Sequence, residues 1–133
     1  MLKKVITYTD YNGVERTEPF YFNLTKAEVM EMELTTAGGM AEKIQRIVAA
    51  QDHTAIIAVF EDLIQKSYGV KTPDGRGFVK RADDLEAFVA TEAYSNLFME
   101  LATNAEAASE FVNGIVPADL AKQIDKKSLP AAN

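Results

Sequence analysis

Residues 18–34 read EPFYFNLTKAEVMEMEL, and the period of the apolar residues changes part-way through. In EPFYF, Phe20 and Phe22 fall on one side of an extended chain and Tyr21 on the other, the two-residue alternation of a half-buried strand. Thr25 and Glu28 then stand at capping-box spacing, in which each side chain accepts from a backbone amide that the first helical turn leaves free. A strand is therefore expected to end near Leu24 and a helix to begin at Lys26. So short a passage from strand to helix ties a sheet directly to a helical layer, and this juncture decides the fold class.

Upstream, KKVITYTDYNGVERTEPFYFNL contains two β-rich runs around Asn12-Gly13, the residue pair best suited to the positive φ angles of a two-residue hairpin turn. The sequence predicts an N-terminal hairpin over residues 3–24. Pro19 has no amide to donate, so its strand is expected to lie at an edge or to carry a bulge there. Downstream, Gly38-Gly39 stops the first helix, and Met40, Ile44, Ile47 and Val48 repeat at helical spacing. Asp52 or Thr54 caps a third helix that carries Ile56, Ile57, Phe60, Leu63, Ile64 and Tyr68 on one side, with Gly69 as its C-terminal stop. Pro73 and Asp74-Gly75 interrupt the helical pattern, and a second small hairpin is expected near residues 70–79, pairing Val70 with Phe78-Val79. Asp83 with Glu86 and Thr103 with Glu106 repeat the cap spacing ahead of further helices, and Pro117 ends the last of them.

The expectation is an α+β fold: a mainly α-helical single domain over residues 1–120, with the N-terminal hairpin at 3–24, a helical region at 25–117 and a disordered tail at 121–133. The length of 133 residues suits one core. The apolar share of 47% and charged share of 26% are those of an ordinary folded domain. A net charge of −6 opposes binding to nucleic acid or to an anionic membrane, which both select clustered Lys and Arg. No apolar run approaches the roughly 18 residues of a membrane span, and Tyr, Thr and Asp occupy the place where a signal peptide has its apolar region. A soluble cytoplasmic protein that binds neither nucleic acid nor membrane is expected.

Chemistry needs convergent groups, and few are present. With no cysteine, thiol catalysis and thiolate metal sites are excluded. His53 is the single histidine and stands beside a helix cap, where an exposed structural role is the plainer reading; a small hydrolase built on Asp52 and His53 would need a cluster that the sequence lacks. Asp74-Gly75-Arg76-Gly77 lacks both the Gly-Lys-Ser/Thr of a phosphate loop and the ligand series of a calcium loop, so it reads as a turn. No catalytic residue, cofactor or metal is expected.

The methionines are harder to place. At about 100° per residue, Ala27, Met30 and Leu34 lie within about 60° of one another and are assigned to the core. Val29 and Met32 then point to the opposite side, and Met99 points away from the stripe of Tyr94, Leu97, Phe98 and Leu101. Either these helices are covered on both sides, or Val29, Met32 and Met99 form a protein-binding surface, since flexible methionines adapt to varied apolar partners. A second copy of the chain would meet the same apolar signature.

Three phrases, RTEPFYFNLTKAEVMEMELTTAGGMAEKIQRIV, KSYGVKTPDGRGFVK and TEAYSNLFMELATNAEAASEFVNGIVP, resemble in that order the small tail assembly chaperones of long-tailed bacteriophages and related prophages. The resemblance spans Tyr11 to Leu120. It implies a non-enzymatic protein of the infected bacterium's cytoplasm that engages the tape measure protein, keeps it soluble, delivers it to the growing tail and is absent from the mature virion. It also implies, as further partners, the tail tube protein and a longer frameshifted form of the chain; paired lysines such as Lys126-Lys127 can be encoded by an adenine run of the kind on which ribosomes slip. The family has no catalytic motif to transfer. A structural tail or tail-completion protein retained in the virion is the rival reading.

Overall fold

The computed structural model describes residues 1–117. Strands β1 (Leu2–Thr9) and β2 (Glu15–Phe22) form the N-terminal hairpin, followed by α1 (Lys26–Thr35), α2 (Met40–Ala49) and α3 (His53–Ser67). Strands β3 (Tyr68–Lys71) and β4 (Phe78–Val79) make the second hairpin, and α4 (Ala82–Val89), α5 (Glu92–Thr103) and α6 (Ala105–Ile115) complete the order. The two hairpins join in one four-stranded antiparallel sheet of order β1-β2-β3-β4. The fold is thus α+β, as the sequence predicts. The expected tail at 121–133 lies outside the described residues.

The first turn is not the two-residue type that Asn12-Gly13 suggests. Asp10 donates its amide to Val14 O and Gly13 donates to Asp10 O, both at 2.9 Å, which closes a three-residue loop. Gly13 alone there has positive φ, at +81°, and occupies the left-handed position that follows a type I turn in such loops. Asp10 decides this geometry: its carboxylate accepts from the amides of Asn12 and Val14, each at 2.9 Å, and from Arg16 Nε at 2.6 Å. Pro19 pairs with Val5 in an unbroken register, and no bulge is needed because β3 meets β2 only at Tyr21 and Phe22. The missing amide therefore falls where the second edge of β2 is open.

Alternation turns Ile6 and Tyr8 of β1, and Phe22 of β2, toward the helices. Phe22 is fully buried and meets Tyr68 of β3, Phe88 of α4 and Phe111 of α6 at ring-centroid distances of 5.8, 5.8 and 5.4 Å. Tyr68 and Phe88 stack at 4.3 Å. Phe60, Leu63 and Ile64 of α3, Leu97 and Leu101 of α5, and Ile115 of α6 complete one continuous core, against which Met40, Ile44 and Ile47 of α2 pack from its margin. The side chain of Val48 lies outside the described residues.

Several predicted boundaries move, for local reasons. Gly69 does not stop α3; it lies in β3, because Tyr68 and Gly69 pair with Phe22 and Tyr21, and the ladder ends the helix. A Cβ at Gly69 would stand 2.7 Å from the Phe78 ring, so the glycine serves close packing across the second hairpin. Helix α4 starts one residue before Asp83, after Arg81, which makes no side-chain cap bond; Asp83 and Asp84 instead place their charges in the first turn, near its free amides. Between α5 and α6 the cap is Asn104, which accepts from Ala107 N at 3.0 Å, while the Thr103 hydroxyl donates back to Met99 O at 2.6 Å. Ile57, expected on the inner side of α3, is 44% exposed.

Replacing Phe22 with Ala removes the ring that joins sheet and helices. Cavity formation at such a site costs about 3–5 kcal/mol, and a urea titration of Phe22→Ala is expected to show a loss in that range. A loss below about 1 kcal/mol would contradict the central place given to this ring.

Candidate functional site

Helix α1 is the element that the sequence left ambiguous, and the contacts of its N-terminal turn orient it. At the N-terminus Thr25 Oγ1 accepts from Glu28 N at 3.1 Å while Glu28 Oε1 accepts from Thr25 N at 2.8 Å, completing the capping box. Lys80, just after β4, donates to both Glu28 carboxylate oxygens at 2.7 and 2.8 Å. Burial alone would raise the Glu28 carboxyl, but the Lys80 ammonium and the Thr25 amide outweigh it and hold the group below its ordinary value. The Glu28 side of the helix is thereby drawn to the body of the protein.

That rotation reverses the expected assignment. Met32, about 40° from Glu28 around the helix, enters the core with 9% exposure, and Val29 is partly buried against it. Ala27, Met30 and Leu34, assigned from the sequence to the core, face solvent, with Met30 61% and Leu34 78% exposed. Val29 and Met32 are therefore turned inward and give a partner little surface. Met99 stands where the sequence put it: α5 buries Ala93, Leu97 and Leu101, leaving Met99 exposed beside Glu100, which pairs with Lys4 at 2.9 Å. The structure does not gather the three residues into one patch.

The polar groups that might carry chemistry are occupied locally. Asp52 caps α3 by accepting from Ala55 N at 3.1 Å, and the adjacent His53 is exposed at the start of that helix. Asp74 accepts from the Thr72 hydroxyl at 2.6 Å and from Arg76 N at 3.0 Å within its turn, and the Thr72 bond leads in holding its carboxyl below the usual range. Arg16 does the same for Asp10. An open cleft of about 380 Å³ is lined by Thr9, Asp10, Tyr11, Glu92 and Asn96; its acidic wall, with Asp10 committed to Arg16, suits no anionic ligand. Among the described residues no three His, Cys, Asp or Glu side chains are grouped to hold a metal ion, and no helix is long and apolar enough to cross a membrane.

What the described surface offers is large apolar side chains exposed on its helices, among them Met30, Leu34, Ile57 and Met99. The family model for phage tail assembly chaperones matches residues 1–133. The chain belongs to that family. No curated protein and no solved structure matches it. For this tail assembly chaperone the family match covers the whole chain, including all six helices and both hairpins described above.

The Glu28 clamp has a definite pH signature. Its folded-state pKa lies below the unfolded value of about 4.5, so its contribution to stability is fully present above that value and is lost as the pH falls through the folded one. Urea melts between pH 7 and pH 3 are expected to show a shallower acid-side decline for Glu28→Gln than for the wild type. Identical slopes would show that Lys80 does not hold the carboxylate in solution.

Proposed function

We propose that this tail assembly chaperone acts without catalysis in the cytoplasm of the infected bacterium, where it binds the tape measure protein, keeps it soluble, delivers it to the growing tail and then departs. The observation that carries the reading is the whole-chain match to a family of phage tail assembly chaperones. The surface supports it: Met30, Leu34, Ile57, Val70 and Met99 are large apolar side chains exposed on regular elements, and such side chains can meet apolar stretches of an incompletely assembled client. Methionine suits the task because its unbranched, polarizable side chain repacks against differing partners.

Co-expression with the tape measure protein of the same phage is expected to raise the soluble yield of that protein and to give a complex that co-purifies. No gain in solubility and no complex, with both chains well expressed, would defeat the proposal. Purified virions are expected to lack the chaperone; its presence at stoichiometric level would favour a structural tail protein instead.

A further inference from the structure

Helix α1 is apolar on two opposite sides, and the core uses only one. On the other, Ala27, Met30 and Leu34 form a narrow exposed stripe. Its margins are charged: Glu31 is exposed on one flank, about 40° from Ala27, and Glu33 lies on the other, with Lys26 near the helix start. Glu28 is on the far side, held by Lys80.

We propose that this stripe is the docking face for an amphipathic helical segment of the client whose apolar seam is flanked by Lys or Arg. The inference rests on the tape measure binding proposed above and names the surface and the kind of segment it takes. Three observations select this occupant. Leu34 and Met30 stand four residues apart, the spacing at which one helix presents consecutive knobs to another. The carboxylate of Glu31 borders the seam on a protein of net charge −6, so a basic flank on the incoming helix gains from it and an acidic flank is repelled. A second copy of the chain fits poorly, because antiparallel two-fold packing that sets Ala27 against Leu34 also sets Glu31 opposite Met30 of the copy, within one residue of that copy's Glu31. The ten residues of α1 extend only about 15 Å, so one such contact buries well under the roughly 800 Å² per partner of a stable complex. The contact is therefore weak and reversible, as delivery requires.

The test uses the full chain co-expressed with the tape measure protein of the same phage. Because both side chains are exposed, Met30→Glu/Leu34→Glu is expected to keep the wild-type melting temperature within a few degrees while co-purified tape measure protein falls by about tenfold or more. Glu31→Lys is expected to weaken the complex and to reduce its sensitivity to salt. Should the double Glu variant unfold, Met30→Ser/Leu34→Ser must show the loss of binding in its place. Undiminished binding by a folded double variant overturns this inference and leaves the proposed function standing; a wild type that holds no tape measure protein overturns the proposed function itself. Unchanged affinity and salt dependence in Glu31→Lys overturns the basic-flank assignment. A concentration-dependent dimer that the double variant abolishes assigns the stripe to a second copy and overturns the inference.

Discussion

The structure depends on the burial of Phe22. It is the last residue of β2, and its ring is in contact with rings from β3, α4 and α6. A hairpin of two strands is at best marginally stable in water; this one persists because its inner side is covered. The backbone adds to the same point. Asn23 donates to Ser67 O at 2.8 Å and Leu24 to Ile115 O at 2.7 Å, so the chain leaving β2 is bonded to the end of α3 and the end of α6. Aromatic contact and backbone pairing thus converge on three residues, and every helix from α3 onward is positioned against them or against neighbours that are.

Helix α1 follows this anchor immediately and is held differently. It contributes one buried residue, Met32, and its N-terminal turn is fastened by the capping box and the Lys80–Glu28 pair. Exposed ion pairs contribute little stability by themselves, of the order of 0–1 kcal/mol; here the pair has a directional effect, choosing which side of a two-sided apolar helix faces the core. With the rotation set in this way, Met30 and Leu34 stay in water, although the apolar character of the two sides is similar. This exposed apolar stripe is the surface to which we assign the client in the proposal above.

Surface and core also differ in how they treat charge. Three acidic residues among the described positions serve turns and a cap: Asp10 organises the first hairpin loop, Asp52 caps α3, and Asp74 closes the second hairpin turn. A negative surface made from such residues needs no dedicated acidic site; under the docking proposal, the exposed Glu31 beside the α1 stripe would supply an electrostatic preference that its few apolar atoms do not.

The sequence by itself determined the element types and most of their order. Strand alternation before Leu24, the Thr25–Glu28 capping box, Gly38-Gly39 and Pro117 are local signals whose physics acts within a few residues, and the α+β class, both hairpins and the start of α1 were legible from them. Turn details were less so: Asn12-Gly13 suits a two-residue turn, but the Asp10 carboxylate favours the three-residue loop that forms. Gly69 reads as a helix stop until β3 pairs with β2, a contact between residues 46 and 48 positions apart that no local pattern contains. The facing of α1 belonged wholly to the tertiary structure. Helical periodicity separates Ala27, Met30 and Leu34 from Val29 and Met32, but both sets are apolar, so burial gain alone does not say which goes inside. Lys80, 52 residues away from Glu28 along the chain, breaks that tie.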